Sequence, residues 1–234
     1  MVKKLYIFLF LFISCATSAQ TRHEQTGWFF FLNNTKFNDR WGLQFDFQLR
    51  SHDDLDGARN ILVRPGITYY LKTNQNITAG YLYNPTFSKA DNGGTITHTE
   101  HRIWEQYILT HKLFTGVFAH RARLEQRFIE KVNKDKVFAQ RFRYFFRDVQ
   151  PLKKQEGAFI KGPFAALQNE VFLNVQYKEN TNAHFFDQNR AYIAMGYRLS
   201  KKLDIEAGYM NQYIKGAGSN TLNNIAQLAV YTRF

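Results

Sequence analysis

Trp41-Gly42-Leu43-Gln44-Phe45-Asp46-Phe47-Gln48-Leu49-Arg50 alternates apolar and polar side chains along its length. Successive residues of a strand point to opposite sides. Trp41, Leu43, Phe45, Phe47 and Leu49 therefore share one face, and Gln44, Asp46, Gln48 and Arg50 share the other. A helix would scatter the same residues around its circumference. The pattern recurs along the chain. Ile77, Ala79, Tyr81, Tyr83 and Phe87 face one way. Val171, Leu173, Val175 and Tyr177 alternate with Glu170, Phe172, Asn174 and Gln176. Leu203, Ile205, Ala207, Tyr209 and Tyr213 alternate with Asp204, Glu206, Gly208, Met210 and Gln212.

About eleven such segments can be traced, starting near Gln25, Arg40, Asn60, Asn76, Thr99, Val117, Val137, Phe164, Arg190, Leu203 and Leu222. Most run ten residues or more. An ordinary globular strand has ~5–6, whereas a tilted strand crossing a bilayer needs about ten. The connections alternate in length as well. Asn38-Asp39, Thr73-Asn74-Gln75-Asn76, Thr115-Gly116 and Ser200-Lys201-Lys202 are tight, and Pro151 to Gly157 is somewhat longer. His52 to Ala58, Lys89 to Thr97, Glu179 to Gln188 and Lys215 to Thr221 are long and polar. Short turns on one rim and long loops on the other are the plan of an all-β, antiparallel, up-and-down transmembrane β-barrel. Bacterial barrels of this kind have even strand numbers, so twelve strands are expected, with ten as the alternative. Ala158 to Tyr177 is long enough to hide two strands broken at Gly162-Pro163. Glu24 to Phe37 is irregular, because Trp28-Phe29-Phe30-Phe31-Leu32 is apolar on both faces.

Composition fits a folded, exported chain. The 234 residues are 44% hydrophobic, with 23 Phe and 13 Tyr, enough to bury a core. Mean hydropathy is −0.43. Past the N-terminus no apolar run approaches the ~18–20 residues of a membrane helix, which excludes a helical membrane bundle. Lys3 and Lys4 precede an apolar run from Leu5 to Ile13, and small residues follow through Ala19. This is the form of a signal peptide, residues 1–19, cleaved after Ala19 to leave 20–234 as one outer-membrane barrel domain. Cys15 is the only cysteine and leaves with that segment, so the mature chain has no thiol chemistry. The alternative is acylation of Cys15 as a lipoprotein, against which Phe12 stands where such signals usually carry Leu. The net charge of +12 points to an anionic partner, either lipid head groups or an acidic solute. Nucleic acid is not expected of an exported chain.

In a membrane barrel the apolar face meets outer-membrane lipid and the polar face lines the lumen. Phe118, Ala122, Leu124 and Phe128 then lie outside, with Arg121, Arg123, Glu125 and Arg127 inside. On the next segment Phe138, Phe142, Tyr144 and Phe146 lie outside, with Arg141, Arg143 and Arg147 inside. The two segments form a hairpin, so arginines line adjacent strips of the wall, and Glu170 joins them from a later segment. Glu100, Arg102, Glu105, Arg190, Arg198, Asp204 and Glu206 add mixed charge, although the facing of the Thr99 segment is ambiguous. Two readings are open. Arginine forks match carboxylate and phosphate geometry, which makes this lumen a site or path for an anionic solute. Alternatively, the arginines pair with Glu125, Glu170, Asp46 and other acids, and plug a narrow barrel whose interior is filled by side chains. Trp28, Trp41, Tyr69, Tyr83, Tyr209 and Tyr213 are expected in the aromatic girdles at the membrane interfaces.

Catalytic residues, a metal site and a cofactor are not expected. His98, His101, His111 and His120 have no Ser on their own segments to pair with, and Ser51 and His52 point opposite ways. His98 and His101 are three apart, so on a strand they face opposite sides. Asn92-Gly93-Gly94 reads as a flexible loop tip.

Five stretches together carry a resemblance: Glu100-His101-Arg102-Ile103-Trp104-Glu105-Gln106, Arg121-Ala122-Arg123-Leu124-Glu125-Gln126-Arg127-Phe128, Arg141-Phe142-Arg143-Tyr144, Leu167-Gln168-Asn169-Glu170-Val171-Phe172-Leu173-Asn174 and Phe186-Asp187-Gln188-Asn189-Arg190. The chain resembles a Bacteroidetes outer-membrane β-barrel family catalogued as domain of unknown function 2490. The resemblance implies a membrane barrel and brings no activity or catalytic residues. The last segment places Leu228, Val230, Thr232 and Phe234 on one face. A terminal strand ending in Phe234 is similar to the signal read by barrel-assembly machinery, a second expected partner. The expected function is a non-enzymatic outer-membrane barrel, structural or transport-related. The rivals are a lipid-acting outer-membrane enzyme and a soluble barrel binding an acidic or apolar ligand. A soluble barrel would bury the Trp41-Leu43-Phe45-Phe47 face inside.

Overall fold

A computed structural model describes residues 21–90, 93–131, 133, 135–153 and 157–234. The expected signal peptide and Cys15 lie outside the described residues.

Among the described residues eleven strands close into one barrel. They are β1 (Thr21–Lys36), β2 (Trp41–Ser51), β3 (Ala58–Lys72), β4 (Gln75–Lys89), β5 (Thr95–Leu113), β6 (Gly116–Glu130), β7 (Lys136–Pro151), β8 (Gly162–Gln176), β9 (Phe186–Ser200), β10 (Leu203–Ile214) and β11 (Asn220–Arg233). Each segment traced in the sequence corresponds to one strand. The expectation of twelve strands, or of ten, is corrected to eleven. Gly162-Pro163 opens β8 instead of breaking it. The Trp28 to Leu32 stretch lies within one continuous β1.

An odd count has a geometric consequence. Neighbouring strands alternate in direction, so the first and last run the same way. They close the barrel as a parallel pair, from Thr21↔Asn220 to Asn34↔Arg233. Parallel ladders are slightly weaker per residue than antiparallel ones. The upper part of β1 extends beyond β2, whose pairing with it ends at Trp28↔Arg50. Side chains from the end of β2 and from the β2–β3 link cover that edge. Gln25 N donates to Asp53 Oδ1 at 2.7 Å, and Gly27 N donates to Ser51 Oγ at 2.9 Å. At the other end Phe234 N donates to Asn34 O, and Lys36 N donates to Phe234 O. A backbone donor or acceptor left unpaired beside lipid would be costly.

The two rims differ. One carries the links 37–40, 73–74, 114–115 and 201–202, together with the longer 152–161. The other carries 52–57, 90–94, 131–135, 177–185 and 215–219. The wall is inverted relative to a soluble protein. In β2, Gln44, Asp46 and Gln48 are buried, while Trp41 on the other face is 48% exposed. Ile67, Ile77, Ile103, Leu167, Ile193 and Leu228 are likewise exposed on the outside. Contiguous apolar surface on this scale is not what a soluble monomer presents. The facing is the reverse of what the soluble-barrel reading requires.

The inside is filled. Trp28, Phe164, Tyr192, Met210 and Ile225 form one buried apolar cluster, and Leu62, Leu82 and Trp104 form another. Trp28 therefore points inward and does not belong to the outer girdle. Trp41 and Tyr69 do stand outside, ring against ring at 4.9 Å. The second cluster depends on two glycines. Gly66 pairs with Gly80, and Gly80 pairs with Trp104, so the indole lies across both. A Cβ at Gly80 would sit 2.4 Å from the Trp104 ring and 2.4 Å from Pro65 O. Gly80→Val should therefore lower stability by about 1–3 kcal/mol, the usual cost of overpacking a filled core. Gly218→Ala, with open space around it, should be nearly neutral. The urea midpoint of the refolded barrel in detergent checks both, and an unchanged midpoint for Gly80→Val would contradict the packing.

Candidate functional site

The eight residues of the arginine-strip cluster face the lumen: Arg121, Arg123, Glu125 and Arg127 from β6, Arg141, Arg143 and Arg147 from β7, and Glu170 from β8. On β6 alternation requires this once Arg123 and Glu125 are inside, each 1% exposed; on β7 the buried Arg141 and Arg143 set the same face for Arg147, and Glu170 is buried on β8. Glu125 is the hub. Its Oε2 accepts from Arg141 Nη2 at 2.7 Å and from Arg102 Nη1 at 3.5 Å. Its Oε1 accepts from Arg143 Nη1 at 2.5 Å, with Arg123 Nη1 at 4.0 Å.

Several contacts join strands that are not neighbours, so they span intervening strands on the inner face. Arg121 of β6 donates to Glu170 of β8 at 2.7 Å. Arg141 of β7 donates to Asp187 of β9 at 2.8 Å. Arg147 of β7 reaches Glu206 of β10, which also accepts from Tyr192 and Tyr231. Arg123 donates to Gln106, whose amide donates to Gln44 of β2 at 2.8 Å. Glu100 takes Arg102 and Arg127 together. Glu105 goes the other way. It lies on the outer face, bonded to Gln126 at 3.1 Å, and is removed from the lumen set.

The paired layer leaves two interior cavities, of about 200 and about 180 Å³. Trp28, Arg64, Arg143 and Arg190 line both and so separate them. The larger cavity lies toward the long-link rim, and its wall carries eight arginines and no carboxylate. Six of the eight have acidic partners. Arg50 and Arg190 have no carboxylate within ion-pair distance among the described residues. Arg50 donates to Gln48 Oε1 at 2.5 Å, and Arg190 donates to Gln188 Oε1 at 3.2 Å. Both guanidiniums stack on Trp28, at 3.9 and 5.0 Å from the ring centre.

On the outer wall His120 Nδ1 lies 2.8 Å from Tyr144 Oη, and its Nε2 lies 3.2 Å from His111 Nε2. No group of three or more His, Cys, Asp or Glu that could hold a metal ion occurs among the described residues.

A family model described as "Protein of unknown function (DUF2490)" matches residues 25–223. The chain belongs to this family. No curated protein matches it. A solved structure described as the NanC porin in a rhombohedral crystal form is similar, with a TM-score of 0.49 and 11% identity over 82% of this chain and 85% of that one.

The arginine strip of β6 and β7 is therefore mostly paired in this DUF2490 chain, and the arginines without an ion pair, Arg50 and Arg190, lie elsewhere. Arg50 was visible on the polar face of the Trp41 to Arg50 segment. Its setting was not, because Trp28 belongs to a stretch apolar on both faces. Glu125→Gln should leave several guanidiniums short of a partner. Breaking a buried pair costs ~3–5 kcal/mol, and less in a hydrated lumen. Glu105→Gln, on the outer face, should not destabilise the barrel. Urea unfolding in detergent compares them, and equal midpoints would contradict a hub at Glu125.

Proposed function

We propose that this chain is a non-enzymatic outer-membrane barrel that accepts small anionic solutes from the long-link side. Its paired interior layer restricts free flow. The observation that carries this reading is the cavity lined by eight arginines and no carboxylate. An arginine fork matches carboxylate or phosphate oxygens, and a concave cationic surface concentrates anions. The apolar outer face, the strand lengths and the two unlike rims support residence in the outer membrane, with the long links outside and the short turns periplasmic. Export through the N-terminal segment belongs to the same reading. The ion-pair layer supports a low conductance, since a path through Trp28, Arg64, Arg143 and Arg190 requires them to move.

Fractionation should place the protein in detergent-extractable outer membrane, with a heat-modifiable mobility on gels. In planar bilayers under a KCl gradient, the small current should reverse at a potential of the anion-selective sign. Recovery as a soluble periplasmic monomer would contradict the location. Cation selectivity, or the large steady conductance of an open pore, would contradict the role.

A further inference from the structure

We infer that the larger cavity binds one small soluble dianion, a doubly charged oxyanion of the phosphate, sulfate or short dicarboxylate kind, between Arg50 and Arg190 beside Trp28. The inference rests on the proposed cationic interior and assigns its ligand class. Three observations carry it. The first is charge. Arg50 and Arg190 share one indole ring, and the acceptors within hydrogen-bond reach are neutral amides: Gln48 for Arg50, Gln188 and Gln212 for Arg190. Two like charges held together on one ring repel each other, and a doubly charged ligand satisfies both. A single chloride would leave one unmatched.

The second observation is unused donor capacity. Arg64 is 4% exposed, and its Nη1 donates to Asp46 at 2.9 Å. Its Nε is buried with no partner, and so is Nε of Arg50. Both side chains line this cavity. A buried donor without an acceptor is costly, and an oxyanion supplies several acceptors at once. The third is size. A volume of about 200 Å³ accommodates roughly eight non-hydrogen atoms, on the scale at which a ~150 Å³ cavity takes one benzene ring. That suits phosphate or succinate better than a nucleotide or an oligosaccharide. A phosphate on a lipid head group is the other source of this chemistry. It is disfavoured because the cavity lies inside the wall and its arginines point away from the lipid face.

The test is calorimetric titration of the full barrel in micelles of a phosphate-free detergent at fixed ionic strength. Phosphate, sulfate and succinate should each bind saturably, at least tenfold more tightly than chloride. Arg50→Gln and Arg190→Gln should each weaken phosphate at least tenfold. Arg190→Lys keeps the charge but loses the fork, and should fall between. Citrate, which exceeds the cavity, should bind more weakly than succinate. Anionic phospholipid added to the micelles should not compete. A second readout guards against misfolded variants. Phosphate should raise the urea midpoint of the unmodified barrel and leave that of the Arg50→Gln, Arg190→Gln double variant unchanged. No saturable binding, equal response to chloride, competition by lipid, tighter citrate or undiminished binding in the double variant would each overturn the assignment. Because binding is read in micelles, a barrel that binds phosphate but passes no anions keeps this site and loses the transport reading.

Discussion

Glu125 lies within ion-pair distance of Arg102, Arg123, Arg141 and Arg143, at a position 1% exposed. Much of the interior follows from that arrangement. A closed wall with lipid outside has one place for its polar side chains. Charges turned inward are partly desolvated there, which favours pairing with each other. The hub meets this need on β6 and β7, and pairs that span an intervening strand, such as Arg121–Glu170 and Arg141–Asp187, extend it to β8 and β9. Trp104 and Phe172 carry guanidiniums on their faces, and the Tyr192 hydroxyl donates to Glu206. Such ion pairs are weak evidence for stability in themselves, since desolvation opposes the Coulomb gain. What they supply here is cross-bracing: side chains from strands two or three places apart are tied together over the inner face of the wall.

Pairing is uneven around the circumference. Acids are within ion-pair distance of the arginines on β6 and β7, whereas Arg50 of β2 and Arg190 of β9 hydrogen-bond amides and stack on Trp28, Arg190 also on Phe172. The arginines without an ion pair therefore collect on the side where the barrel closes, next to the parallel β1–β11 seam. The large aromatic that occupies that side, Trp28, also divides the two cavities. One residue thus takes part in the apolar core, the cation stack and the boundary between the two spaces.

Much of the fold was legible because strand alternation has a strict period. The Trp41 to Arg50 segment assigns its own facing, and the same rule carried through Arg121 to Arg127 and Arg141 to Arg147. All eleven segments were located within a few residues of their observed starts. The even-number habit of bacterial barrels points to twelve, whereas each of the eleven alternating segments is one strand, so the general rule conflicts here with the local pattern. Trp28 was misplaced because alternation gives no direction where both faces are apolar. Glu105 was grouped with lumen charges because its strand carries His101 and Trp104 on opposite faces, so chemistry alone does not say which face is wet. The candidate site was legible only in part. The sequence identifies which charges share a face of one strand, but which arginine is left without an acid depends on contacts between strands far apart in the chain.

The inverted facing of the wall is the central claim, and β2 tests it most directly. In a Cys15→Ser background, single cysteines at Leu43, Gln44, Phe45, Asp46, Phe47 and Gln48 can each be labelled with a fluorophore in proteoliposomes, and lipid-borne quenchers added. The account predicts strong quenching at 43, 45 and 47, and weak quenching or poor labelling at 44, 46 and 48. A uniform response along the strand, or the opposite alternation, would contradict it.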